Sequence, residues 1–292
     1  MQPTSDGPFP YSPIKARPAI QWPGGARIAL MVVPNVEHFP LDVALPGPNN
    51  ERPTGSERLP MVREWSQRDY GNRVGVFRLM EVLERHGIRG TVALNSFMCT
   101  HRPQVVEEMR RLGWEFMGHN ETNAVRLNQI PVEAEEALIR RVLDTIADTT
   151  GTRPVGWLSS GNAETWNTLE HLVANGVRYV CDWVNDDQPY PITVNGREIV
   201  AVPYTADIND IDAFWRQKRS APEFERMICD HFDVVYREGG RVMTISLHPF
   251  VIGQPHRIGA LERALAHIGC HPGVWRATGS EILEHVLKRP GL

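Results

Sequence analysis

The sequence predicts an α/β fold in which a parallel sheet is covered by helices, arranged as an open doubly wound sheet or as a barrel. Three observations carry this expectation. Residues 29–39, ALMVVPNVEHF, form a continuous apolar run ending in a carboxylate beside an imidazole, Glu37 and His38, as a strand buried on both faces reads when it reaches the functional rim. Residues 242–247 run in the same manner into His248 and Pro249. Between them, about seven apolar runs alternate with stretches of helical period, and right-handed crossovers restrict such a chain to the two arrangements named.

Taken in order, residues 1–26 are rich in proline and polar residues and are read as a surface arm. After the first strand, residues 40–67 carry Pro46, Gly47, Pro48, Asn49, Asn50, Pro53 and Gly55 without hydrophobic period, and are read as a long loop beside the site or at a subunit contact. Val74, Phe77, Met80 and Leu83 mark a helix closed by Gly87, and a strand follows at 91–94. Pro103 opens a helix through Val106, Met109 and Leu112, and a strand at 114–117 delivers His119. Pro131 begins a helix with Leu138, Val142, Leu143 and Ile146 on one face. A strand at 155–159, a helix at 162–176 and a strand at 179–183 ending on Asp182 come next. A proline-rich loop leads to a strand at 198–202, a helix at 222–239 and the strand ending in His248. Helices near 257–268 and 280–287 flank a last strand around Val274 and Trp275. The whole of 1–292 reads as a single domain, with no internal repeat.

Composition narrows the function. With 41% hydrophobic and 23% charged residues and a net charge of −4, the chain has an ample core and no basic stripe for nucleic acid or anionic lipid. No stretch has the roughly 18 to 20 apolar residues of a membrane span, and the N-terminus MQPTSDGPFPYSP has no secretory pattern, so a cytoplasmic protein is expected. Cys99, Cys181, Cys229 and Cys270 are widely spaced and read as reduced core residues. No GxGxxG or GxxxxGK loop supports nucleotide binding, and no GxSxG elbow supports a serine nucleophile.

Chemistry gathers at the predicted strand ends: Glu37 and His38, His119 with Asn123, Trp157, Asp182 with Trp183, Tyr204 and His248. A carboxylate that takes a proton from water and an imidazole that gives one to a leaving atom suit hydrolysis without a covalent intermediate. His38 and His119 are candidate metal ligands, with Asn123 a weak oxygen donor four residues after His119. A divalent metal such as zinc and metal-free chemistry both stay open at this point.

These residues resemble the polysaccharide deacetylase (NodB-homology) family, and more closely its cyclic-amide hydrolase branch typified by allantoinases. The likeness runs from about residue 26 onward and rests on four blocks in order: GTRPVGW at 151–157, CDWVNDDQPY at 181–190, VPYTADIND at 202–210 and SLHPFVIGQPHRIGAL at 246–261. It implies a distorted (β/α) barrel, often assembled as a tetramer, that hydrolyses a C–N bond with Glu37 as base and His248 as acid. The family's successive carboxylates fall on Glu37 and His38, and its paired histidines on His119 and Asn123, so both departures affect metal ligands. Some members of the allantoinase branch work without a metal.

The leading expectation is therefore an enzyme opening a small imide, hydantoin or ureide ring, with Trp157, Trp183 and Tyr204 as flat walls. Arg153, Asn209, Asn123 and Asp182 supply polar contacts to the small-molecule substrate. N-deacetylation of acetylated amino sugars is the alternative, and a binding protein without turnover is a third.

Overall fold

The computed structural model describes residues 4–45 and 58–288. Among these residues nine strands form one sheet: β1 (Ile28–Val36), β2 (Thr91–Leu94), β3 (Glu115–Gly118), β4 (Gly156–Trp157), β5 (Tyr179–Val180), β6 (Tyr190–Val194), β7 (Arg197–Ala201), β8 (Arg241–Leu247) and β9 (Val274–Arg276). Their order is β6-β7-β5-β4-β3-β2-β1-β8, and β9 pairs with β1. Apart from β6, antiparallel to β7, every pairing is parallel. The C-terminal strand ends therefore share one rim, as expected of the predicted α/β architecture.

β1 is the spine. It pairs with β8 from Ile28↔Arg241 to Pro34↔Leu247, while its other edge meets β9 at Ile28–Leu30 and β2 only at Asn35 and Val36. Its side chains alternate as a strand must. Ile28, Leu30 and Val32 join the cluster packed against the helices, whereas Ala29, Met31 and Val33 join Met117, Leu158, Cys181 and Val202 inside the sheet's curve.

The sheet does not close by a ladder between β6 and β8. The gap is spanned instead by the segment after β7: Ser246 N donates to Ile208 O at 3.0 Å, Thr244 Oγ1 to Pro203 O at 2.7 Å, and Asn209 forms a lone parallel bridge with Ser246.

Several elements differ from expectation. The strands at 156–157 and 179–180 are shorter than predicted, and the helix predicted over 162–176 is regular only at α6 (Thr168–Ala174). Residues 190–194, expected in loop, are β6. The turn is Asn195-Gly196 with φ of 49° and 76°, the positive pair that a two-residue hairpin requires. Within the loop expected at 40–67, α1 (Val62–Tyr70) begins at residue 62, and 46–57 lie outside the described residues. One π-turn, Gly71–Gly75, joins α1 to α2 (Val76–Arg85). The buried face of α2 is Val76, Leu79, Met80 and Leu83; Phe77 is exposed, because the turn resets the helical register. Cys99 and Cys181 are buried, but Cys229 is half-buried and Cys270 exposed, so not all four belong to the core. No helix among the described residues is long and apolar enough to cross a membrane.

The π-turn lies directly on Pro249–Ile252 (α8), the short helix after His248. A Cβ on Gly71 would overlap Phe250, and one on Gly75 the Pro249 carbonyl oxygen. Gly75 has ordinary helical φ, where alanine alone would be favoured by about 1 kcal/mol. The obstacle is rigid backbone, so overpacking decides the sign: Gly75→Ala is expected to destabilise by about 1–3 kcal/mol, read from urea denaturation.

Candidate active site

Glu37 follows β1 with the parity of Ala29, Met31, Val33 and Asn35, so it turns into the mouth of the sheet; it is 4% exposed. His38 has the opposite parity and turns away. Two side-chain amides fix this corner: Asn95 Oδ1 accepts from His38 N at 2.9 Å while its Nδ2 donates to the His119 carbonyl, and Asn72 Nδ2 donates to Glu37 O at 2.8 Å.

Around the Glu37 carboxylate, Asn123 Nδ2 donates to Oε1 at 2.8 Å, His119 Nε2 lies 3.5 Å from Oε1, and His248 Nε2 lies 3.6 Å from it. The two residues farthest apart in sequence thus share one cavity of about 400 Å³. It is also lined by Asn35, Arg68, Ser159, Tyr204, Asn209 and Phe250.

The two imidazoles are held differently. His119 Nδ1 donates to Leu158 O at 2.5 Å, so in the neutral ring Nε2 is the nitrogen without a proton, and it faces Glu37. His248 Nδ1 donates to Asp210 Oδ1 at 2.7 Å, and Asp210 Oδ2 accepts from the backbone N–H groups of His248 and Ile252 at 2.8 and 3.1 Å. Burial lowers the His248 pKa, but the Glu37 and Asp210 carboxylates outweigh it and hold it above the ordinary histidine value. That shift favours the protonated imidazole beside the Glu37 carboxylate, and the outer nitrogen is turned to the cavity. Burial raises Asp210, and the His248 cation opposes that shift.

Arg68, on α1, supplies a buried cation below Glu37. Its guanidinium lies over the rings of Phe39 (4.7 Å), Trp215 (5.4 Å) and Phe250 (5.7 Å), and burial lowers its pKa to about 10, against the pull of Glu37 and Glu64.

The sequence-based candidates separate into three groups. Glu37, His119, Asn123, Tyr204, Asn209 and His248 line the common cavity. Trp157 and Asp182 lie behind it: Trp157 is fully buried with Nε1 donating to Ser159 Oγ, and Asp182 accepts from Ser159 N and Oγ at 2.8 Å, shaping the wall without facing the cavity. Trp183 packs edge-on against Phe9 of the N-terminal arm, and Arg153 sits on the surface paired with Asp144. These four are not among the cavity's lining residues, which corrects their expected part as substrate contacts. Asp210, Asn95, Asn72 and Arg68 were missed. Asp210 ends the block VPYTADIND, directly after the candidate Asn209, and only the bridge to Ser246 shows which of the two faces the histidine.

The metal pair expected at His38 and His119 is not brought together. His38 lines a separate cavity of about 320 Å³, its ring 4.5 Å from that of His101, and burial with the His101 and Arg102 charges lowers its pKa to about 4. Asn123 gives its amide nitrogen to Glu37, while its Oδ1, a weak ligand atom, is buried without a hydrogen-bond partner. Glu37 and His119 are the firm donors that converge, with the Asn123 oxygen a weak third, where a catalytic zinc site has three firm protein ligands. Among the described residues, no triple of His, Cys, Asp or Glu with ligand atoms within 4.8 Å of one another occurs in this cavity. The side chains present do not fit a catalytic divalent ion.

No family model matches the chain. It is 26% identical to a putative polysaccharide deacetylase of Schizosaccharomyces pombe over 90% of its length and 91% of that protein. Two solved structures superpose over nearly the whole chain. A probable polysaccharide deacetylase of Pseudomonas aeruginosa matches with a TM-score of 0.85, 26% identity and coverage of 97% of this chain and 100% of that one. The PuuE allantoinase matches with 0.82, 27%, and coverage of 92% and 93%. Together with the strand-end geometry, these likenesses place the chain in the polysaccharide deacetylase (NodB-homology) superfamily, with an allantoinase among its structural neighbours.

Proposed function

We propose that this protein is a hydrolase of C–N bonds that opens a small cyclic amide, an imide, hydantoin or ureide ring. The observation that carries the reading is the approach of Glu37 to His248 in a cavity of about 400 Å³, with the outer His248 nitrogen free to act because Asp210 holds the inner one. That volume lies within the range of small-molecule sites.

In the proposed reaction a water donates one hydrogen to Glu37 and the other to the lone pair of His119 Nε2. Glu37 takes the proton as the oxygen attacks the ring carbonyl, and His248 delivers its Nε2 proton to the departing nitrogen; the new carboxylic acid of the open chain gives its proton to solvent, and the proton on Glu37 passes back to His248. Tyr204 and Asn209, on the wall after β7, face the ring and its carbonyl oxygens. No step passes through a metal. Turnover is accordingly expected to survive exhaustive chelation, and its loss on chelation with recovery on adding zinc would reject this scheme.

N-deacetylation of an acetylated amino sugar is the second reading, favoured by the deacetylase descriptions of the relatives. A panel of cyclic imides, hydantoins and ureides beside chitooligosaccharides decides between them. Ring opening without acetate release is the expected result, acetate release alone reverses the ranking, and binding without turnover of either class points to the third reading. A homo-oligomeric, cytoplasmic enzyme accords with the proposal, and sedimentation tests the assembly.

A further inference from the structure

A second cluster of metal-ligating groups lies away from the cavity, on the outer helices. α7 (Ala221–Glu238) carries Asp233, and α9 (Ile258–Gly269) carries His267 near its end, with His271 in the turn beyond. Ligand atoms of Asp233, His267 and His271 all lie within 4.8 Å of one another. We infer that these three residues form a surface site for a divalent transition metal, zinc or copper(II), that cross-links α7 to the end of α9.

The side chains are held in place before any ion arrives. His267 Nε2 donates to Asp233 Oδ1 at 2.8 Å. His271 Nδ1 donates to the His267 carbonyl at 3.0 Å, which leaves Nε2 as the lone-pair nitrogen of the neutral ring. Phe232 packs edge-on against both imidazoles, at 5.9 Å from His267 and 5.0 Å from His271, and Tyr236 lies 5.2 Å from His271. The Tyr236 hydroxyl donates to Pro272 O at 2.7 Å and ties the turn bearing His271 to α7.

Two imidazoles and a carboxylate suit zinc and copper(II) better than magnesium or calcium, which prefer all-oxygen shells. Metal–ligand bonds of about 2.0–2.1 Å at tetrahedral angles separate ligand atoms by about 3.3 Å. Small side-chain rotations bring the three groups there from their present spacing. For His267 Nε2 to bind the ion, the proton it now donates to Asp233 moves to Nδ1 of the same ring. With Asp233 and His267 partly exposed, water completes the shell. The site touches none of the residues assigned to hydrolysis.

Equilibrium dialysis of the full chain against zinc after chelator treatment tests this, with thermal unfolding followed in parallel. The expected result is a single zinc ion per chain and an upward melting shift. Both are lost in His271→Ala and in His267→Ala, whose metal-free melting and ring-opening activity match the parent. Cys270, exposed beside His271, is the control, and Cys270→Ser is expected to retain the ion. Failure of the parent to bind zinc, binding that persists in the His267→Ala/His271→Ala double variant, or loss of binding in Cys270→Ser would each overturn the assignment. A spectrum of the cobalt(II)-loaded protein that changes in the histidine variants supplies a readout independent of stability and activity.

Discussion

Glu37→Gln is expected to lower kcat for ring opening by about 10²- to 10⁴-fold, the usual contribution of a positioned acid or base. The substitution preserves shape, and a glutamine oxygen can still accept from Asn123 Nδ2, which now bonds the carboxylate at 2.8 Å. What disappears is the group able to take a proton from water, together with the negative charge that helps keep His248 protonated. Steady-state kinetics beside a thermal melt check this. Retained turnover in a normally melting variant would remove Glu37 from the chemistry.

The second large effect concerns a residue that acts through another. Asp210→Asn is expected to reduce kcat by about 10²-fold or more and to move the alkaline limb of the pH–rate profile to lower pH. The sign follows from the acid role. His248 must be protonated to deliver a proton, so activity is lost as pH rises through its pKa; burial lowers that pKa, and Glu37 and Asp210 raise it above the ordinary value. Removing one of the two carboxylates lets burial regain ground, and the loss begins at lower pH. An unmoved alkaline limb would reduce Asp210 to an anchor for the backbone of His248 and Ile252.

Much of this architecture was legible in the chain. The run 29–39 and the strand into His248 stood out because both faces of each strand are covered, leaving uninterrupted apolar residues up to the rim. Partial misreadings have identifiable causes. His38 looked like the partner of Glu37 because adjacent residues are close in sequence, yet the two-residue period sends them to opposite sides. Arg153 belonged to a convincing motif, but it precedes its strand, at the end away from the rim. The Asn195-Gly196 turn was a clear hairpin signal overlooked among neighbouring prolines. Asp210 was beyond reach, because a carboxylate meets its histidine across 38 residues only through the bridge at Asn209. The outer histidine cluster was equally hidden, since Asp233 lies on a different helix from its partners. Zinc found in a purified preparation would therefore not by itself identify a catalytic metal.

Closing the ring through residues 203–210, rather than through another strand, divides the cavity into two kinds of wall. Glu37 and His248 follow directly on β1 and β8, whose ladder runs from Ile28↔Arg241 to Pro34↔Leu247, so backbone pairing just below them holds their separation. Tyr204 stands on a connecting segment tied to β8 at Pro203 and again at Ile208 and Asn209, and between those ties its composition is free of that constraint. Evolutionary drift in this segment can resize the chamber, and with it the range of molecules admitted, while the reacting pair keeps its spacing.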